Sequence, residues 1–472
     1  MSDLYLFNSL TRKKEKFVPL DSARGKPVGL YTCGPTVYDY ATIGNFRTYT
    51  SGDILLRVLK YNGYKVKYIM NLTDVGHLTG DNLGDADIGE DRLEKAARRE
   101  RKTAWDIAKF YTEAFFTDFE KLNLIKPEKF VKATDHIAEQ IDLVKKLEEK
   151  DLTYEISDGI YFDTKKFEEE TGKKYGELST LDQIKEGVRV GVNPEKKNLR
   201  DFALWKFSPS TSSGQAQRDM EWESPWKMGF PGWHIECSAM SMKYLGETFD
   251  IHAGGEDLRS THHPNEIAQS EGATGKKFVN FWIHAAFLKV DGGRMGKSLG
   301  NAYRISDLEG KGFSALDLRY FYLSGKYNEP LNFTWESLKA SQVALFKLRS
   351  LITQLRPFDS AQGFAGQAKE YREKFTTAIN DDLNTPQALA VLWETIKSNI
   401  PGPDKYDLAL SFDEVLGLKV DQVKQVLQVS QEVKKLMNER EKLRKEGKYK
   451  EADKLRRKIQ DLGFMIRDEK VS

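Results

Sequence analysis

The run Gly232-Trp233-His234-Ile235-Glu236-Cys237 and the downstream run His262-His263-Pro264-Asn265-Glu266 hold side chains that bind metals. Cys33 is the only other cysteine in the chain. Thiolate, imidazole and carboxylate are ligand types that zinc accepts in a roughly tetrahedral shell. His262 and Glu266 are four residues apart and share one face if the stretch is helical, which favours His262 over the adjacent His263. Cys33 and Cys237 lie far apart in the chain, so only the fold can bring them together. The candidate metal ligands are therefore Cys33, Cys237, His262 and Glu266. The bland alternative is two buried, inert thiols and a surface His–Glu pair.

Two short runs could handle phosphate. Thr42-Ile43-Gly44-Asn45 stands where a helix is expected to begin, and free N–H groups at a helix start attract anions. Arg294-Met295-Gly296-Lys297-Ser298 places two cations in a short loop. Either run alone is weak evidence, because small loops of this composition are common.

These residues need a scaffold. Val28 to Thr32 reads as a buried strand, Asn45 to Tyr61 as a helix ended by Asn62-Gly63, and Tyr64 to Asn71 as an alternating strand. Strand, helix and strand at this spacing predict a parallel βαβ unit and an α/β fold. No Gly-x-Gly-x-x-Gly occurs in it, so dinucleotide binding is not indicated. Ala104 to Leu122 reads as an amphipathic helix and Thr153 to Asp163 as a hairpin. From about Glu336 onward the pattern is helical. Within it Thr385 is expected as an N-cap, with Pro386 at the first helical position. Val433 to Leu462 is rich in Lys and Arg and reads either as a solvated helical hairpin or as an RNA-facing surface. Asp21 to Gly25, Ser210 to Gln217 and Asp359 to Gly363 read as surface-loop insertions without chemistry.

Composition sets limits. The chain has 472 residues, enough for about three domains. Hydrophobic content of 39% and charged content of 31% are ordinary for a soluble protein. A net charge of only +2 means that any nucleic-acid surface must be local. Two cysteines in so long a chain argue against a disulfide scaffold. No stretch is apolar enough for a signal core or a membrane span. A cytoplasmic protein without a membrane partner is the expectation.

The motifs together carry a resemblance. Tyr31-Thr32-Cys33-Gly34-Pro35-Thr36-Val37-Tyr38-Asp39, the Gly-Trp-His-Ile-Glu-Cys-Ser-Ala-Met run, the His-His-Pro-Asn-Glu run and Arg294 to Ser298 occur in this order. In this the chain closely resembles the cysteinyl-tRNA synthetases, which are class I aminoacyl-tRNA synthetases. The likeness covers nearly the whole chain. It implies a Rossmann-like parallel-sheet catalytic domain over 1–290 with an insertion at about 115–200. A signature-loop and stem-contact region would follow over 291–335, then a helical bundle over 336–415 and a basic anticodon-binding region over 416–472.

The resemblance also implies an activity: ATP-dependent ligation of L-cysteine to tRNA(Cys) through a cysteinyl-adenylate. One Zn2+ per chain, on the four candidates above, would select the substrate thiol. ATP would enter with Mg2+, and a monomer is expected. In the first signature, His-Ile-Gly-His, both histidines are replaced, here by Thr42 and Asn45. These can still donate hydrogen bonds to phosphate, and Gly44 lets the nucleotide approach. In the second signature, Lys-Met-Ser-Lys-Ser, Lys297 survives as the main catalytic candidate and Arg294 keeps the first charge. Gly296 removes a hydroxyl and is expected to loosen the loop. Thr73 and Trp233 would surround the amino acid, with Asp257 as its ammonium partner. Phe230 stands where the family usually has Arg. Two rivals remain at this point. One is a related enzyme that joins cysteine to an amino sugar and lacks a tRNA-reading tail. The other is a non-catalytic tRNA-binding relative with a structural zinc.

Overall fold

The computed structural model describes residues 3–20, 25–76, 91–179, 193–208, 218–356, 366–422 and 431–461. The three expected loop insertions lie almost entirely outside the described residues.

An N-terminal hairpin, β1 (Tyr5–Asn8) and β2 (Lys13–Lys16), precedes the first parallel unit. That unit is β3 (Val28–Thr32), α1 (Ile43–Tyr61) and β4 (Val66–Leu72). Then come α2 (Arg92–Glu100), α3 (Ala104–Lys121) and β5 (Lys129–Lys132), which pairs with β4 in parallel. The chain next builds a separate antiparallel sheet. Its elements are α4 (Ile137–Glu148), β6 (Thr153–Ile156), β7 (Gly159–Phe162), α5 (Thr164–Thr171), β8 (Phe202–Phe207) and β9 (Gly229–Pro231). After it, α6 (Trp233–Leu245), β10 (Phe249–Gly255), α7 (His262–Thr274) and β11 (Val279–Ala285) return to the parallel sheet.

The parallel sheet has the order β11-β10-β3-β4-β5. The strands run outward in both directions from β3, so the switch point lies between β3 and β10, where ligands of such sheets bind beyond the carboxyl ends. Helices cover both faces. All five residues of β3 and all seven of β10 are therefore buried, as a parallel sheet requires. The same packing corrects the alternating reading of the second strand: the last five residues of β4 are all buried.

Beyond the sheet lie β12 (Leu288–Val290), β13 (Gly293–Arg294), α8 (Ile305–Gly310), α9 (Ala315–Leu323) and β14 (Leu331–Phe333). The helical half follows as α10 (Trp335–Gln354), α11 (Gly366–Asn380), α12 (Thr385–Lys397) and α13 (Gly402–Leu416). It ends on the expected hairpin, α14 (Gln431–Lys445) and α15 (Tyr449–Asp461). One cap differs from expectation. Asn384, not Thr385, is the N-cap of α12 and accepts from Gln387 N at 3.2 Å, which puts Pro386 one position further in. Asn accepts this bond at least as well as Thr, and adjacent cap formers are hard to rank from sequence.

Candidate metal and nucleotide site

Chain ends of the parallel strands deliver the site. Cys33 follows β3, Thr73 follows β4, Asp257 lies two residues beyond β10, and His284 is near the end of β11. Cys33 N donates to Ala253 O of β10 at 3.0 Å, which fixes the thiol at the switch point. The first turn of α7 supplies His262 and Glu266, and α6 supplies Trp233 and Cys237 near its start.

The four candidate ligands converge. The Cys33 and Cys237 sulfurs, a His262 nitrogen and a Glu266 oxygen all lie within 4.8 Å of one another, and all four residues are buried. The two sulfurs are 4.0 Å apart, and His262 Nε2 is 3.1 Å from Glu266 Oε1. Glu266 Oε1 is buried and accepts no hydrogen bond. A buried carboxylate oxygen that pairs with an imidazole at 3.1 Å without hydrogen-bond geometry, and faces two thiols, fits a divalent metal, and the soft sulfurs favour zinc.

Cys237 and Glu266 already favour the charged form a metal takes, whereas Cys33 and His262 would release a proton on binding one. Burial opposes ionisation of Cys237, but the Cys33 hydrogen bond and the His262 charge bring its thiol down to about 6. Burial also works against charge on His262, yet Glu266 and Cys237 lift it to about 10. Burial likewise disfavours the Glu266 charge, and His252 and His262 still hold that carboxyl down to about 2. Cys33 is pushed up, first by burial and then by Cys237.

Around this quartet stands a layer that sequence reading missed. Five of the seven histidines belong to the cluster: His234, His252, His262, His263 and His284. His252 Nε2 is 2.9 Å from Glu266 Oε2 and orients it. His262 Nδ1 is 2.9 Å from His234 Nδ1, and His263 Nδ1 is 2.7 Å from His284 Nε2. Burial pushes His284 down to about 3 and holds His263 well below its usual range, so both favour the neutral form. His263 Nε2 approaches Cys33 Sγ at 3.4 Å, and Cys33, His252, His263 and Glu266 form a second convergent set. Gly254 makes room for this ring: a Cβ there would sit 2.7 Å from His263 Cε1. The signal for these histidines was their scarcity, since the chain has only seven and two of the five sit inside mostly apolar strands.

Thr73 and Trp233 border the quartet. Thr73 Oγ1 donates to Glu236 Oε2 at 3.0 Å. Burial, and then Cys237, push the Glu236 carboxyl well up, so it favours the neutral form. The Trp233 ring lies 4.4 Å from the His262 ring, tilted by 33°. Asp257 is exposed, and its Oδ1 lies over Gly255, only 2.3 Å from where a Cβ would stand. Phe230 is buried, and the Arg218 guanidinium lies 3.6 Å from its ring centre, so a cation still stands beside that strand. Arg218 is anchored on Asp91 at 2.7 Å.

The two runs expected to handle phosphate meet at the start of α1. Thr42 and Asn45 form a capping box: Asn45 N donates to Thr42 Oγ1 at 3.4 Å, and Thr42 N donates to Asn45 Oδ1 at 2.9 Å. Thr42 Oγ1 also donates to Asn45 Oδ1 at 2.8 Å. The Asn45 carboxamide oxygen is thus spent on the cap, and its nitrogen takes no part in it. Met295 packs on Gly44, where a Cβ would stand 3.1 Å from its sulfur. Lys297 Nζ donates to Asp39 Oδ2 at 2.7 Å and lies 4.8 Å from the Tyr38 ring centre. Asn301 ties the loop down, accepting from Gly296 N at 2.8 Å and donating to Arg294 O at 3.0 Å. That brace offsets the freedom expected from Gly296. Arg294 is exposed at the end of β13.

Residues 19–343 match a family described as "tRNA synthetases class I (C) catalytic domain". Residues 374–398 match a "DALR domain", and residues 428–472 match a "Cysteinyl-tRNA ligase anticodon binding domain". The chain is 45% identical to "Cysteine--tRNA ligase 1" of Burkholderia lata over 469 residues, 98% of this chain and 95% of that protein. It is 41% identical to "Cysteine--tRNA ligase" of Treponema denticola, over 99% of this chain and 98% of the relative. A methionyl-tRNA synthetase of Mycobacterium tuberculosis, solved with methionyl-adenylate, shares the fold. Its TM-score is 0.58 at 14% identity, over 83% of this chain and 90% of that one.

Proposed function

The chain belongs to the class I cysteinyl-tRNA synthetases, and from that premise we propose that one zinc ion on Cys33, Cys237, His262 and Glu266 selects the substrate thiol. The enzyme ligates cysteine to tRNA for translation. Both rivals fall with this assignment. The amino-sugar ligase would lack the tail that here matches an anticodon-binding domain, and the whole chain aligns with cysteine–tRNA ligases.

The observation that carries the zinc reading is the buried Glu266 oxygen that faces two thiols and an imidazole and accepts no hydrogen bond. Zinc, when bound, takes a thiolate far better than a neutral hydroxyl and so separates cysteine from serine, a pair that shape alone discriminates weakly. The rest falls to the chain. Trp233 walls the pocket, and Asp257 receives the ammonium group. The start of α1, with the Asn45 nitrogen, receives phosphate oxygens of ATP, which enters as its Mg2+ complex. Lys297 and Arg294 stabilise the charge that develops on pyrophosphate as the carboxylate attacks the α-phosphate and the cysteinyl-adenylate forms. The cysteine then passes to the terminal ribose of tRNA(Cys).

Two outcomes test this reading. Protein purified without added metal should carry about one zinc per chain, and Cys237→Ala should lose most of it, because a three-donor remnant holds zinc poorly. Zinc-free protein with intact adenylate formation would sink the assignment. Truncation after about Asp421 removes α14 and α15 but none of the nucleotide or thiol-binding groups. It should leave cysteine-dependent ATP–pyrophosphate exchange intact and lower tRNA charging by ~10–100-fold at moderate salt, because the hairpin carries more cations than carboxylates. Unchanged charging would make the hairpin a packing element only.

A further inference from the structure

Building on the tRNA-ligase reading, we propose that Phe110 and Tyr40, beside the Lys297 loop, form the stacking platform for the single-stranded 3′ end of the tRNA.

Phe110 projects from α3 with 41% of its surface exposed, unusual for so large an apolar side chain on a helix whose other face is core. Its ring meets the Tyr40 ring edge-on at 6.0 Å. Tyr40 in turn meets Tyr111 at 5.1 Å, so the partly exposed ring is braced from behind. Cations flank both rings. Lys102 Nζ lies 4.8 Å from the Phe110 centre, and the Arg304 guanidinium lies 4.4 Å from the Tyr40 centre. Carboxylates are present but outnumbered. Asp39 faces both Lys297 and Arg304, at 2.7 and 3.7 Å. Glu100 faces both Arg99 and Lys102, at 2.8 and 3.4 Å. Asp106, one turn before Phe110, is met by Lys102 and Lys109, so these five cations still outnumber the three carboxylates and leave the patch with positive charge for phosphates.

Exposed aromatic faces between cations are how proteins hold single-stranded nucleic acid, since every base has a face to stack. Position selects the occupant. Tyr40 is the neighbour of Asp39, which holds the catalytic-loop lysine, so the platform is continuous with the nucleotide site. The second half-reaction must bring the terminal ribose to the adenylate, and the unpaired bases before it must lie on the surface at that mouth.

The test compares both half-reactions in the full-length enzyme. Phe110→Ala should raise KM for tRNA by about tenfold, the scale of one lost stacking contact, while cysteine-dependent pyrophosphate exchange stays within about twofold. Phe110→Tyr should restore charging, and Phe110→Leu should not, which separates stacking from mere apolar cover. Lys102→Ala should flatten the salt dependence of charging. Unchanged tRNA KM in Phe110→Ala overturns the proposal. So does a raised KM for ATP in the exchange assay, which would assign the platform to the adenine. Failure of the wild-type enzyme to charge tRNA would instead overturn the tRNA-ligase reading itself.

Discussion

Lys297→Ala should lower kcat for cysteine-dependent pyrophosphate exchange by roughly 30- to 900-fold, about 2–4 kcal/mol of barrier, the scale of one oriented charge-stabilising donor. Lys297 is half exposed, and its bond to Asp39 is a surface ion pair. Such a pair is worth about 0–1 kcal/mol, so the melting transition should hardly move. Asp39 holds this ammonium beside the start of α1, where the triphosphate would arrive and take it over. Charge on pyrophosphate grows as the bond to the α-phosphate breaks, so the transition state loses more than bound ATP does and kcat carries the effect. An unchanged kcat with only a raised KM for ATP would reduce Lys297 to a binding residue.

How much of this was legible follows from what each residue needs. The convergence of Cys33, Cys237, His262 and Glu266 could be read because these residue types are scarce in the sequence and because i, i+4 spacing on α7 puts His262 and Glu266 together. The first βαβ unit could be read because its apolar periods are local. The supporting histidines could not. His252 and His284 sit in buried parallel strands, where sequence shows only a polar residue inside an apolar run, and their partners come from α7, in contact with both only in the folded chain. Asp39 was quoted within a motif but not as a partner of Lys297, which lies 258 residues away. Thr42 and Asn45 were read as phosphate donors. Their capping box is equally local, but a cap and a ligand contact draw on the same side-chain atoms, so the pattern alone does not divide them.

Asp53→Ala should destabilise the catalytic half by about 3–5 kcal/mol, the cost of removing one partner from a buried charge network. Asp53 lies in the middle of α1, and Oδ2 accepts from Arg319 Nη2 at 2.6 Å and from Arg57 Nε at 2.8 Å. Its Oδ1 accepts from Ile125 N at 2.7 Å. The guanidiniums spend their other donors on backbone carbonyls at helix ends. Arg319 reaches Leu416 O at 2.7 Å and Leu122 O at 3.1 Å, and Arg57 reaches Glu414 O at 2.9 Å and Asn123 O at 2.7 Å. One carboxylate thus joins α1 to the ends of α3 and α13 and to α9, across the boundary between the sheet and the helical half. Alanine would leave two guanidiniums buried side by side with only Asp413, already spent on the Leu418 and Val420 amides, as a nearby carboxylate. Burial alone would raise the Asp53 carboxyl, but Arg319 and Arg57 more than offset it and hold it below the usual range. The network's stabilisation is therefore fully present above the unfolded carboxylate value of about 4, and it is lost as pH falls through the lower folded value. Denaturant melts at neutral and acid pH should show the wild-type advantage over Asp53→Ala shrinking toward low pH. Asp53→Leu combined with Arg319→Met, which removes the carboxylate and the fully buried guanidinium and leaves only Arg57 charged, should cost less than Asp53→Ala. A loss under about 1 kcal/mol for Asp53→Ala at neutral pH would mean that water replaces the carboxylate between the two arginines, and that the halves are joined by apolar packing instead.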